Sequence, residues 1–455
     1  MAHGLHPRQV ANQLERCFRA EADILRVLGG WTPRVTENDE RLAFATDIGR
    51  RAEHATRLLD RLHRLRTTDR MVHVPPASWR ELIELLDHAP CVASLVAAVY
   101  EVVGTELLDV YTCLVARCDP IADEPTVRFV ERELLPDHED AARWATLFLA
   151  EHRPDTSYVL AVKSALNNAG GLHVTSNEVP TDRDDDGAAN GTGFWALDRP
   201  APDRITLGSE YRIATVGEAT SYCPAFDKFR DDGAEVLLNH HGLMPEIASL
   251  ALVGNLLHEV HDRPWAFYRD FATQCSDEVR HIRLLQRRLG ELGADEATHA
   301  FPTWTFYDAV NFLPAAERTL VFNAIVEGNV VETLHDRAAA LEQVGYPDSA
   351  YVADWISADE SLHLHNGLAW LGEVTPNGGD VDALLSHGQA LLGYVMQQRD
   401  ATEKVFDSDS AAVLQADFYG PRRNPIAPIA RELGGFSEDQ IERLITSAGG
   451  RTIRR

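Results

Sequence analysis

Two stretches of the chain place glutamate and histidine three residues apart: Glu278-Val279-Arg280-His281 and Glu360-Ser361-Leu362-His363. On a helix, residues three apart share a face, so each pair can aim a carboxylate and an imidazole at one point. A single pair is a weak signal, because both residue types are common on helix surfaces. Here each pair has an upstream partner. Glu246 precedes Glu278 by 32 residues and Glu327 precedes Glu360 by 33. Each partner sits in an otherwise apolar run, Pro245 to Leu250 and Phe322 to Glu327. A separation of this length lets one helix finish, turn, and return antiparallel to the same level. The set is then one Glu from each of two helices and one Glu-x-x-His from each of the other two, which suits two metal ions in a bundle core.

The electrostatics agree. Four ionised carboxylates in a core are costly unless they are paired or bound to metal. Two divalent cations neutralise them, and two imidazoles complete the shells. Carboxylate and imidazole without thiolate suit iron or manganese and exclude a closed zinc site of the cysteine type. The competing reading, solvent-facing Glu and His on amphipathic helices, requires all six positions to fall in register by chance.

The elements that must position these residues are helical. Apolar residues recur every three or four positions, predicting helices at about 243–261, 265–289, 315–344 and 349–371, with Pro264, Pro302, Pro314 and Pro347 in the gaps. Residues 1–152 show the same periodicity, at 14–28, 42–65, 92–115 and 127–149. Residues 153–238 read as an irregular connector or lid with short β segments, the clearest being Ile205 to Val216. Residues 239–374 form the expected dimetal bundle. Residues 375–455 form a helical appendage, with helices near 381–399 and 437–447. The expected fold is mainly α.

Residues 240–445 resemble a ferritin-like family long catalogued as uncharacterised, within the non-haem diiron carboxylate superfamily. The resemblance rests on His241 to Glu246 (HGLMPE), Phe267 to Asp270 before Ser276 to His281, Ile325-Val326-Glu327, Asp359 to His363, and the tail Asn424 to Phe436. It implies a ferritin-like four-helix bundle with metal ligands Glu246, Glu278, His281, Glu327, Glu360 and His363. The chain departs from the family pattern in its long N-terminal half and at Glu327-Gly328-Asn329, where Glu-Ala-Arg is expected.

The N-terminal half reads as a second, degenerate ferritin-like copy. Glu21 precedes Glu53 by 32 residues and Glu106 precedes Glu139 by 33; a shift of 225 carries Glu21 onto Glu246 and Glu53 onto Glu278. In this register Thr56 and Ala142 stand where His281 and His363 would be, so this copy is expected to have lost its metal site. Coincidence among frequent glutamates is the alternative. Glu332 and His335 are candidates for extra ligands or for hydrogen-bond partners of ligands. Asp277 and Asp359, each just before a ligand Glu, are expected to pair with Arg or a ligand His. Trp304, Phe306, Tyr307, Tyr268 and Trp370 are either pocket lining or ordinary core. His240, His241, His258 and His261 read as cap and surface residues.

Composition narrows the function. Acidic residues outnumber basic ones 70 to 43, a net charge of −27, which disfavours a nucleic-acid partner. An arginine run at Arg280, Arg283, Arg287 and Arg288 is the nearest thing to a basic groove, and reads by default as a solvated face. Six cysteines without a CxxC make neither a disulfide scaffold nor a rubredoxin element, and suggest a reducing, cytoplasmic setting. The longest apolar stretches fall short of a membrane span. The resemblance implies an O2-dependent diiron oxidase or oxygenase with two Fe, Mn/Fe or Mn and O2 as co-substrate. The expected outcomes are hydroxylation, N-oxygenation or desaturation of a small molecule; the resemblance does not fix the substrate, and the two-bundle layout would fit specialised metabolite biosynthesis. The alternative is iron handling or peroxide detoxification of rubrerythrin or ferritin type. The partners expected are the small-molecule substrate and an external electron donor, a reductase or ferredoxin. A homodimer is left open.

Overall fold

The computed structural model describes residues 4–65, 75–174, 194–200, 205–208, 211, 234–261, 263–298, 307, 310–311, 313–374, 387–388, 390–392, 432 and 436–447. Among these residues there is no strand; the chain is mostly helical. It divides into two compact units. The first comprises Met1–Trp31, Ala43–Ala201 and Leu257–Thr273; the second comprises Thr32–Leu42, Pro202–Leu256 and Gln274–Arg455. The boundaries therefore differ from the expected blocks 1–152, 153–238, 239–374 and 375–455, because three helices contribute residues to both units.

The first unit is built on α1 (Pro7–Trp31), α2 (Asn38–Arg64) and α3 (Ala77–Asp87). A long helix follows in three parts, α4 (Val92–Val96), a π-helical stretch π1 (Ala97–Val103) and α5 (Gly104–Arg117). Then come α6 (Glu124–Phe129), π2 (Val130–Leu134), α7 (Leu135–Glu151) and α8 (Thr156–Asn168). From Cys17 to Trp31 every residue of α1 is buried, so it is the central helix of its unit. Helix α8 corrects the expectation of an irregular connector. Asp155 caps it, its carboxylate accepting from the Ser157 and Tyr158 amides. It buries only Val162 and Leu166, which is why its apolar pattern was too thin to read. Residues 205–208 and 211 form no strand, and the rest of 205–216 lies outside the described residues.

The second unit is built on α9 (Ala234–Glu259), α10 (Trp265–Glu291), α11 (Ala315–Thr319), π3 (Leu320–Val326), α12 (Glu327–Val344) and α13 (Pro347–Val374). A short α14 (Glu438–Ser447) lies near the C-terminus. The expected helix at 381–399 lies outside the described residues, except for five helical positions between 387 and 392. Gly345 ends α12 in the left-handed conformation at φ 91°, which glycine adopts without a Cβ clash, and Pro347 starts α13. Gly367 marks a close helix approach, since a Cβ there would lie 2.4 Å from Asn323 Cβ. No helix among the described residues is long and apolar enough to cross a membrane.

Candidate metal centre

All six expected ligands lie on the second unit's long helices, and all six are buried. Helix α9 supplies Glu246, α10 supplies Glu278 and His281, α12 supplies Glu327, and α13 supplies Glu360 and His363. Glu327 follows the seven-residue π3 stretch directly. A π-helical insertion rotates everything after it relative to a continuous α-helix, and such insertions are common at functional sites.

The ligand atoms fall into two overlapping groups. Glu246, Glu278, His281 and Glu360 form one; Glu278, Glu327, Glu360 and His363 form the other, and within each group the atoms lie within 4.8 Å of one another. Glu278 and Glu360 belong to both. His281 Nδ1 lies 3.0 Å from Glu246 Oε2, 3.4 Å from Glu278 Oε2 and 3.6 Å from Glu360 Oε1. His363 Nδ1 lies 2.7 Å from Glu360 Oε2 and 3.6 Å from Glu278 Oε1. The two imidazole centroids are 6.0 Å apart.

The far nitrogens are held crosswise. His281 Nε2 of α10 donates to Asp359 Oδ2 of α13 at 3.0 Å, and His363 Nε2 of α13 donates to Asp277 Oδ2 of α10 at 3.2 Å. Arg280 ties both aspartates together, 2.8 Å from Asp277 Oδ1 and bonded to Asp359 Oδ2. This matches the pairing expected of Asp277 and Asp359. It fixes each ring so that Nδ1 faces the carboxylates, the outer-shell arrangement that orients metal-binding histidines. A second chain reaches Glu278: Asn323 donates to Gln274 Oε1 at 2.9 Å, and Gln274 donates to Glu278 Oε1 at 3.3 Å.

Without metal, this cluster must find its own positive charge. Burial disfavours charge on His281, but the Glu246 carboxylate beside it overrides that and holds the imidazole well above its ordinary pKa. Burial likewise opposes charge on His363, and Glu360 overrides it, pushing His363 to about 10. Two imidazolium ions thus offset two of four carboxylates. Burial pushes the Glu246 carboxyl well up, reinforced by the charges of Glu278 and Glu360. Burial and the charges of Glu360 and Glu278 do the same to Glu327. Glu278 Oε2 is buried without a hydrogen-bond partner. An orphaned buried acceptor among four carboxylates is the mark of a site suited to a cation. The residues present therefore fit divalent metal.

The other expectations fare unevenly. His335 is exposed, so it is not a ligand; it lies eight positions beyond Glu327, on the solvent side of α12. The side chain of Glu332 lies outside the described residues. Tyr307 is buried and Trp370 half-buried, while Trp304 and Phe306 lie outside the described residues. Tyr268 belongs to the first unit, where its ring packs edge-on against Phe194 and its hydroxyl donates to the Val260 carbonyl. His240 and His258 are buried, not surface residues: His240 Nε2 bonds the Glu296 carbonyl and His258 Nε2 bonds Asp87. His261 is exposed, as expected. The arginine run is largely committed to ion pairs, Arg280 as above and Arg288 with Glu235 and Glu291.

The degenerate-copy register needs correction. Glu21 is fully buried, but Glu53 and Glu139 are exposed and Glu106 is only half-buried. The inward histidines of the first unit are His54 and His138, which anchoring the register on glutamates passed over. The available signal was Arg51-Ala52-Glu53-His54, which has the three-residue spacing of Glu278 and His281 with Arg for Glu.

The described residues are those of a mostly helical chain with a buried carboxylate–imidazole cluster that could hold metal. A family described as "Protein of unknown function (DUF455)" matches residues 219–442, just under half of the chain, and that segment contains all six expected ligands. No curated protein and no solved structure matches the chain.

Proposed function

We propose that the second unit is a ferritin-like dimetal carboxylate centre, iron at both positions, which oxidises a small molecule with O2. The observation that carries this reading is the sharing of Glu278 and Glu360 by two four-residue ligand groups. Each ion would be held by one Glu and one His of its own and by the two carboxylates common to both groups, a donor set like that of the diiron carboxylate bundles. When bound, two adjacent ferrous ions supply electrons and Lewis acidity for reducing O2.

The chain's own residues do the rest. Asp359 and Asp277 hold the Nε2 protons of His281 and His363, leaving each Nδ1 to act as a ligand. Arg280 fixes both aspartates. Gln274 and Asn323 hold Glu278 at the shared position. Burial keeps bulk water out and strengthens every charge interaction inside. The Mn/Fe and Mn pairs suit the same donors.

The test is metal analysis of the full chain after anaerobic loading with ferrous iron, followed by O2 uptake. The second unit is expected to hold two ions in the wild type, so Glu278→Ala plus Glu360→Ala should carry two fewer ions per chain. O2 uptake accelerated by one added substrate supports an oxygenase. Uptake that depends only on added iron supports iron storage instead. Undiminished metal in the double variant sinks the site.

A further inference from the structure

The first unit holds a second buried cluster, and we propose that it binds one divalent transition-metal ion through Glu21, His54 and His138. The three residues come from α1, α2 and α7, each at most 5% exposed. Their ligand atoms lie within 4.8 Å of one another. One carboxylate and two imidazoles are a donor set for a first-row divalent ion such as zinc, ferrous iron or cobalt.

His54 is the decisive residue. Its Nε2 donates to Asp137 Oδ2 at 2.9 Å. Its Nδ1 is buried, has no hydrogen-bond partner, and faces Glu21 Oε1 at 3.8 Å. A ring held by a carboxylate on one nitrogen, with the other turned bare into a carboxylate pocket, is oriented as a metal-binding histidine is. The second unit repeats the pattern. There His281 Nε2 is held by Asp359 of α13, and Nδ1 points at the carboxylates, hydrogen-bonded to Glu246 of α9 at 3.0 Å.

Glu21 is correspondingly over-supplied with donors. Oε1 lies 2.7 Å from His138 Nε2 and accepts from Tyr111 Oη at 2.7 Å; Oε2 accepts from Arg51 at 2.7 Å. Arg51 decides how many ions fit. It precedes His54 by three residues, as Glu278 precedes His281. Where the second unit has a shared carboxylate, the first has a fixed guanidinium, also paired with Asp47 at 2.6 Å. Room remains for one cation, not two. The charge count agrees. Glu21, Asp47 and Asp137 against Arg51 leave two negative charges with both imidazoles neutral, which one divalent ion balances. Asp137 is partly exposed and also feels Arg50, so it supports the site from its rim.

The test uses full-length Glu278→Ala plus Glu360→Ala protein, which lacks the two carboxylates common to the second unit's ligand groups, and zinc as the probe. One zinc per chain is expected after chelation and titration. Adding His54→Asn and His138→Asn should reduce it to none, with helicity by circular dichroism unchanged. Should that variant fail to fold, Asp137→Asn alone should weaken zinc about ten- to a hundredfold. No zinc in the folded parent, undiminished zinc without the histidines, or unchanged affinity in Asp137→Asn overturns the proposal. The second unit's reading rests separately on the ions lost between wild type and Glu278→Ala plus Glu360→Ala.

Discussion

Glu327→Gln separates what the ligand cluster does for metal from what it does to the fold. In the metal-free protein Glu327 is 3% exposed, and burial plus the charges of Glu360 and Glu278 holds its carboxyl well above the ordinary range. A carboxyl raised by folding contributes stability that is fully present below its unfolded pKa and lost as pH rises through the folded value. The metal-free wild type therefore loses stability as pH climbs past the ordinary glutamate pKa of 4.5. Glutamine has no proton to lose, and its amide can donate to Glu360 as the protonated carboxyl does. The gain is bounded by the cost of protonating an unfolded glutamate at pH 7, about 3 kcal/mol. We expect metal-free E327Q to exceed wild type by about 1–3 kcal/mol at pH 7, and by under about 1 kcal/mol at pH 5. The assay is urea unfolding after chelation, reading the transition that moves when Mn2+ is added. With Mn2+ at a hundred times its Kd the wild type gains about 2.7 kcal/mol and E327Q does not, so the order narrows or reverses. If metal-free E327Q is no more stable than wild type at pH 7, or its advantage is the same at pH 5, the electrostatic reasoning is wrong.

Further outcomes follow from the same contacts. Asp359→Asn removes the acceptor that fixes His281 Nε2 and half of the Arg280 clamp, so metal affinity in the second unit should fall about ten- to a hundredfold; equilibrium dialysis with Mn2+ reads this. Metal binding should release protons at pH 7, because His281, His363, Glu246 and Glu327 all hold protons more tightly in the metal-free fold and must shed them to ligate. Calorimetry in buffers of different ionisation enthalpy counts them, and affinity should fall as pH falls. Gly367→Ala places a Cβ 2.4 Å from Asn323 Cβ, so it should destabilise the second unit by about 1–3 kcal/mol and loosen Glu278 through Asn323 and Gln274; a Gly367→Ala chain as stable as wild type would mean the helices simply part.

The sequence made the second unit legible for a physical reason. Metal ligands in a bundle core must be polar residues inside apolar runs, and they must recur at helical spacing, so Glu246, Glu278, His281, Glu327, Glu360 and His363 stood out against their neighbours. The crosswise aspartates were legible only as candidates, because which histidine each would hold depends on how α10 and α13 lie together. The π3 stretch was invisible: Leu320–Val326 is apolar throughout and carries no period that tells a π-turn from an α-turn. In the first unit glutamate is a poor guide to the inward face, because it also coats the surface at Glu53 and Glu139. Its inward histidines were readable only beside Arg51, a residue no search for acidic ligands would choose.

Arg51 also explains why two units with such similar polar cores should behave differently without metal. Each unit has one long helix with a seven-residue π-helical stretch, Ala97–Val103 in the first and Leu320–Val326 in the second. Both units bury a glutamate on their first helix and a histidine on their second, backed by Asp137 of α7 and Asp359 of α13 respectively. In the first unit the guanidinium supplies a permanent positive charge 2.7 Å from Glu21 and 2.6 Å from Asp47. A buried carboxylate with a fixed partner is already compensated, and burial no longer forces it to take up a proton. Accordingly the Glu21 carboxyl sits well below the ordinary range: burial acts to raise it, but the charges of His138 and Arg51 prevail. The second unit has Glu278 in place of that guanidinium, so its metal-free core must borrow protons. Placing a guanidinium there, as Glu278→Arg, should therefore trade metal capacity for metal-independent stability; a Glu278→Arg chain that loads as many ions as wild type would show that the charge at this position does not set the count.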